Sequence, residues 1–221
     1  MIESTLPRVS AIIVAGGKSR RMGYDKAFLQ FDGKLLIERV IERVRPVCQE
    51  LLIVTNDNDA YARFGVSIVN DVYPNKGSLG GIFSGLQSAR EQYVLAVACD
   101  MPFLNLDLMR YLISLAPQSD VVVPRASDPS GNVRRGKPRL VGKLLAKEID
   151  LHPTHAIYSK SCLEPMRARL LADDLRIIGF YDDVRVLIVE PDQIDQFDPK
   201  HLSFFNANTP EDLEIARALA M

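Results

Sequence analysis

Residues 9–15 (VSAIIVA) are a compact apolar run that stops at Gly16-Gly17. A short uninterrupted apolar stretch running into paired glycines reads as a buried strand opening into a glycine loop. A strand buried on both faces needs helices above and below it, and the following sequence supplies them. Residues 35–47 place apolar side chains at 36, 37, 40, 41, 44 and 47 with charges between, which is helical spacing. Strand patterns then recur over 51–55, 66–69, 93–98 and 120–123, alternating with helical ones over 59–64, 80–89 and 105–115. Such alternation builds βαβ units, so the expected fold is α/β with a mostly parallel sheet covered on both faces. Ligands of these sheets bind beyond the carboxyl ends of the strands. That singles out Gly16, Gly17, Asn56, Asp71, Asp100 and Pro124, each at or just past the end of a strand run.

The 221 residues fit one domain, 1–221, without repeats. Twenty-seven basic against 28 acidic residues leave a net charge of -1, which gives no bulk field for nucleic acid or an anionic membrane. Cys48, Cys99 and Cys162 are far apart and form no C-x-x-C pair, so neither a disulfide framework nor a zinc site is expected, and a reducing cytoplasm fits. The apolar run 11–15 is too short for a signal h-region or a membrane span. Residues 125–149 are rich in Pro, Gly, Arg and Lys and read as a long loop. Beyond it lie an amphipathic segment over 160–171 and a β-like run over 184–189. A last helix is opened by Thr209-Pro210-Glu211-Asp212, with Thr at N-cap, Pro at N1 and acids in the first turn.

The chemistry-bearing segment is VAGGKSRRMGYDK, residues 14–26, where three glycines and four basic residues follow directly on the first strand. Glycine lets backbone N–H groups approach a phosphate chain, and Lys and Arg neutralise it. A P-loop is excluded, because its first glycine would fall at Ile12, and no G-x-G-x-x-G occurs here. Solvated loop charges are the plainer alternative. The strand VLAVA delivers Asp100 to its carboxyl end before Met101-Pro102, a place suited either to Mg²⁺ or to a turn. Asp71 precedes a glycine loop, Gly77-Ser78-Leu79-Gly80-Gly81, that opens a helix able to receive an anion or a flat base, or to serve only as a tight crossover.

Taken together, Val14-Ala15-Gly16-Gly17, Ser19-Arg20-Arg21-Met22-Gly23, Asp25-Lys26, Cys99-Asp100-Met101-Pro102-Phe103 and the late FFNANTPEDL (204–213) resemble the molybdenum cofactor guanylyltransferase family, in blocks spanning residues 11–217. The resemblance implies a single Rossmann-like three-layer nucleotidyltransferase domain with a mostly parallel mixed sheet. It implies transfer of GMP from Mg·GTP to the terminal phosphate of molybdopterin or its molybdenum-loaded form, with release of pyrophosphate. On the same basis the backbone of Val14, Ala15 and Gly16, with Gly17, would meet the nucleotide, and Lys26 would contact its phosphates. Asn56, Asp71, Gly77 and Gly81 would belong to the nucleotide pocket, and Asp100 would hold Mg²⁺. Lys26 and Asp100, with Arg21 or its neighbour Arg20, would be catalytic, while Asn206 and Asn208 would line the side where the pterin enters. Expected partners are GTP, the pterin cofactor and molybdoenzyme apoproteins or their chaperones, and a monomer is expected.

Two departures from the family pattern stand out. Ser78 occupies the position of a usual proline, which predicts a slightly looser base pocket. An extra basic stretch within 125–151, carrying Arg134, Arg135, Lys137, Arg139, Lys143 and Lys147, separates the Val-Val-Pro strand from His152-Pro153-Thr154-His155-Ala156-Ile157-Tyr158. It could clamp the pterin phosphate, bind an acidic partner or be a solvated insertion. His152, His155 and His201 are too scattered for a metal spacing and read as surface or half-buried, Cys99 as a small buried residue and Asp182-Asp183 as a turn. Competing readings are a cytidylyl- or sugar-phosphate nucleotidyltransferase of the same fold and a non-catalytic cofactor carrier. Asp25 in place of proline, and Ala15-Gly16-Gly17 in place of Ala-Ala-Gly, favour guanine over the first.

Overall fold

In the computed structural model, which describes residues 6–15, 25–126 and 151–220, the first apolar run is strand β1 (Val9–Val14). A small hairpin follows, β2 (Gln30–Phe31) and β3 (Lys34–Leu35), and then helix α1 (Leu36–Val44). The chain continues through β4 (Glu50–Val54), α2 (Asn58–Ala62), β5 (Ser67–Val69), α3 (Gly77–Ser88), β6 (Tyr93–Ala98), α4 (Leu106–Leu115) and β7 (Val121–Pro124). After the basic segment come β8 (His155–Ser159), α5 (Leu163–Leu171), β9 (Val186–Val189), α6 (Pro191–Ile194) and α7 (Pro210–Ala220).

Seven strands form one sheet in the order β5-β4-β1-β6-β8-β7-β9. β1 pairs in parallel with β4 and β6, β4 with β5, and β7 with β9, whereas β8 runs antiparallel to both its neighbours. The sheet is therefore mostly parallel and mixed. Alternation along each strand sends side chains to two separate cores. Val9, Ala11 and Ile13 of β1 and Leu95 and Val97 of β6 pack with α1 and α4. Ile12, Val14, Val94 and Ala96 pack with α3 and α5 on the opposite face. A third, smaller core joins Phe31 and Leu36 to Phe205, Ala207 and α7.

The α3 helix lies close against β1 because it carries glycine where it crosses. A methyl at Gly85 would come within 2.7 Å of Ile12 Cδ1, 2.8 Å of Ile12 Cγ2 and 2.9 Å of Val54 Cγ2. Both neighbours are β-branched and stiff at χ1, so the backbone would have to yield.

The structure corrects three expectations. The sequence pattern does not predict β8: its apolar stretch is only Ala156-Ile157-Tyr158, bounded by His and Ser, yet all five residues are buried between β6 and β7. His155, expected at or near the surface, is fully buried, because β8 is an interior strand. Asp182 and Asp183 close a 3-10 helix (Ile177–Asp183) instead of a plain turn, and Asp183 pairs with Arg169.

Burial, with His152 adding to it, pushes the His155 imidazole down to about 3, so the ring is neutral in the fold. An unfolded chain would protonate it below about 6.5, and stability accordingly falls as pH drops from there towards 3. Asp120 is held down to about 2, chiefly by Arg185, and adds its own loss only below about 3.8. The melting temperature should thus decline between pH 7 and pH 5, and His155→Phe should flatten that decline; an unchanged slope would contradict the buried neutral ring. Gly85→Ala should lower stability by about 1–2 kcal/mol in denaturant titrations, because overpacking of about 1–3 kcal/mol exceeds a helix-propensity gain of about 1 kcal/mol. A stabilised variant would exclude so close a helix.

Candidate active site

The carboxyl ends of β4, β1 and β6 lie side by side, since Val14 is in register with Val54 on one side and Ala98 on the other. The ladder runs one step further: Ala15 N–H donates to the Val54 carbonyl (3.0 Å) and Cys99 N–H to the Val14 carbonyl (3.3 Å). Val14 and Ala15 are buried, and these backbone groups are committed to the sheet. Gly16, Gly17, Arg20 and Arg21 lie outside the described residues.

Lys26 enters from Asp25, whose Oδ1 accepts the Ala27 N–H (3.0 Å) and so caps the 3-10 turn Lys26–Phe28. The Lys26 ammonium donates to Asn208 Oδ1 at 2.6 Å. Asn208 in turn donates through Nδ2 to the Asn206 carbonyl (3.1 Å), and the Ala207 N–H donates to the Asp100 carbonyl (2.9 Å). Three distant pieces of sequence, Asp25-Lys26, Cys99-Asp100 and Asn206-Ala207-Asn208, are thereby joined. Asn206 itself is buried, with its amide turned back onto the Phe204 carbonyl (2.9 Å). Thr209 and Asp212 then cap α7 reciprocally, with Asp212 Oδ2 accepting from Thr209 N–H (2.9 Å) and Asn208 N–H (2.8 Å), and Thr209 Oγ1 accepting from Asp212 N–H (3.1 Å). This is the start signal legible in the sequence, and it also anchors Asn208.

Cys99 reports the convergence electrostatically. Its half-buried thiol is pushed well above its usual range by burial, then by the Asp100 and Asp25 carboxylates, while Lys26 acts in the opposite direction. Such a shift keeps the thiol in its neutral form near neutral pH.

Asn56 and Asp71 are also neighbours: Asn56 Oδ1 accepts the Asp71 N–H (2.9 Å). Asp71 Oδ1 accepts from Tyr73 N–H (3.0 Å) and from Ser84 Oγ (2.9 Å), which ties the loop to α3. Gly77 has φ +64°, the left-handed region that an L side chain adopts only with strain. A Cβ at Gly81 would meet Val14 Cγ1 at 2.9 Å, so this glycine seats the amino end of α3 against β1. Ser78 falls in the first turn of α3, where proline is equally accommodated.

The three histidines, expected to be scattered, gather around one ring. His152, His155 and His201 lie 4.4, 5.3 and 6.1 Å from Phe204. They are not a metal set: among the described residues no group of three or more His, Cys, Asp or Glu side chains is placed to hold an ion. Mg²⁺ takes one or two protein carboxylates and completes its shell with phosphate oxygens and water, and the carboxylate of Asp100, just past the end of β6, is a donor of that kind. The basic residues from Arg134 to Lys147 lie outside the described residues. Their flanks, however, are fixed: Arg125 bridges Leu151, and His152 N–H donates to the Pro124 carbonyl (3.0 Å), beside Phe204. No helix among the described residues is long and apolar enough to cross a membrane.

Sequence reasoning missed Tyr61. Its hydroxyl donates to Asp25 Oδ2 (2.9 Å) and lies 3.4 Å from the Ala15 carbonyl oxygen. In the sequence it reads as one more apolar residue of a short helix, and no local pattern marks a tyrosine whose partner lies 36 residues earlier.

Residues 11–184 match the family model of the MobA-like NTP transferase domain. A molybdenum cofactor guanylyltransferase of Desulfosudis oleivorans is 34% identical over 212 residues, covering 95% of each chain. In fold, the molybdopterin-guanine dinucleotide biosynthesis protein A of Archaeoglobus fulgidus superposes with a TM-score of 0.76 at 23% identity, over 96% of this chain and 98% of that one. The 2-C-methyl-D-erythritol 4-phosphate cytidylyltransferase of Thermus thermophilus follows at 0.65 and 18%, over 95% and 97%. Matched along nearly its whole length, the chain belongs to the MobA-like nucleotidyltransferases and is an enzyme of the molybdenum cofactor guanylyltransferase family.

Proposed function

We propose that the protein transfers GMP from GTP to the terminal phosphate of molybdopterin or its molybdenum-loaded form and releases pyrophosphate. The observation that carries this reading is the Lys26–Asn208 bond, which ties the residue expected at the nucleotide phosphates to the segment expected at the acceptor. A phosphoryl-transfer site needs both substrates held on one scaffold, with the attacking oxygen, the α-phosphorus and the leaving group in line.

In this scheme a terminal phosphate oxygen of the acceptor forms a new bond to the α-phosphorus, and the bond from that phosphorus to the β-phosphate bridge breaks. The electron pair leaves with pyrophosphate. Asp100 would hold Mg²⁺, which when bound neutralises phosphate charge. Lys26, with Arg21 from the glycine loop, counters the charge growing on the leaving pyrophosphate. Gly16 and Gly17, outside the described residues, would present backbone N–H groups to the nucleotide, while Asn56, Asp71 and the Gly77–Gly81 stretch would shape the base side. Asn206, buried, holds its strand-end segment in place, and Asn208 faces both Lys26 and the acceptor. No protein nucleophile takes part. Apoproteins or chaperones would receive the product from a monomeric enzyme.

The fold is shared with a cytidylyltransferase, so the base is chosen by local residues and not by architecture. Pyrophosphate release measured with Mg²⁺ and molybdopterin cofactor, offering GTP, CTP, ATP and UTP separately, should show turnover with GTP and a guanine dinucleotide by mass. Asp100→Asn should bind GTP in the absence of metal yet lose turnover by about 100-fold or more, since metal stabilisation falls mainly in the transition state. Preference for CTP would overturn the base assignment, and undiminished turnover in Asp100→Asn would overturn the role of Asp100.

A further inference from the structure

Tyr61 is fully buried beneath the site and is used by none of the steps above. Its ring packs between Phe28 (5.0 Å between centroids) and Phe64 (6.0 Å), which fixes the ring plane and aims the hydroxyl. That hydroxyl meets both ends of the segment 15–25, the Asp25 carboxylate at 2.9 Å and the Ala15 carbonyl at 3.4 Å. Asp25 spends its other oxygen on the Ala27 N–H, the bond that closes the turn carrying Lys26. A buried hydroxyl left without a partner is destabilising, so its direction is strongly enforced.

We propose that Tyr61 and Asp25 are a positioning pair for Lys26. The phenol hydroxyl fixes the carboxylate, the carboxylate fixes the Lys26–Phe28 turn, and the turn presents the ammonium to Asn208 beside the Asp100 strand end. Burial, with the Asp25 carboxylate adding to it, holds the phenol well above its usual pKa, so it remains the donor throughout the working pH range. Asp25 consequently acts on Lys26 through geometry: it is engaged by a hydroxyl and an amide, and the ammonium makes its bond to Asn208. This assigns a reason for aspartate immediately before the lysine that is independent of which base the enzyme selects.

The kinetic part of the inference rests on the nucleotidyl-transfer reading, and the structural part does not. Tyr61→Phe keeps the ring contacts and removes only the hydroxyl. In the ligand-free protein, residue-resolved amine labelling followed by mass spectrometry should show Lys26 reacting several-fold faster in Tyr61→Phe and in Asp25→Asn, with Lys34 and Lys160 unchanged as internal references. With GTP and acceptor, Tyr61→Phe should lower kcat by about 10- to 100-fold while KM for GTP moves little, the signature of a misplaced transition-state contact. In a Lys26→Met background, Tyr61→Phe should cause no further loss. Unchanged Lys26 labelling in Tyr61→Phe would overturn the pair whether or not the protein uses GTP, and so would fully additive kinetic losses. A wild-type protein inactive with every nucleotide, but with labelling accelerated as expected, would sink the nucleotidyl-transfer reading and leave the pair standing.

Discussion

The register of β1 between β4 and β6 is the constraint on which the site depends. Because Val14 pairs across to both Val54 and Ala98, the next residues on all three strands emerge at one level. Thr55, Ala15 and Cys99 are therefore neighbours by backbone geometry before any side chain is considered, and Asn56 and Asp100 follow them by one residue. A one-residue slip would exchange the two faces of β1 and drive Ile12 and Val14 out of their contact with α3. The glycines of α3 tighten this further, since Gly81 and Gly85 let the helix sit directly on those two side chains.

The sheet places the strand ends, but the last quarter of the chain turns them into a site. Residues 206–208 bind Asp100 through backbone and Lys26 through the Asn208 side chain, and the cap of α7 locks the segment through Asp212. Tyr61 supports the same lysine from beneath. Lys26 is consequently braced from opposite ends of the sequence, which suits a cation that must stay in place while charge develops on a leaving group. Preorganisation of this kind avoids reorganisation during the reaction.

Much of this was legible in the sequence because it is local. The run 9–15, the helical spacing of 35–47 and the Thr209-Pro210 start are periodicity and capping, and the structure reproduces them within a few residues. The acid at the end of β6 was legible for the same reason. What escaped is non-local. β8 hides because a five-residue interior strand flanked by His and Ser carries almost no periodic signal. The gathering of three histidines on Phe204 depends on the approach of residues 151–155 to the carboxyl-terminal segment, which no spacing encodes. The buried amide of Asn206 donates to the Phe204 carbonyl two residues earlier, a contact that no spacing in the sequence encodes.

In the proposed reaction Lys26 and Asn208 act as one unit joining the nucleotide and acceptor sides. A double-mutant cycle on turnover, with Lys26→Met, Asn208→Ala and the pair together, tests it most directly. Strong non-additivity is expected, with the double variant losing at least about fivefold less than the product of the single losses, a coupling of about 1 kcal/mol or more. Losses that multiply would mean that the two residues act separately, and the joined site described here would be wrong.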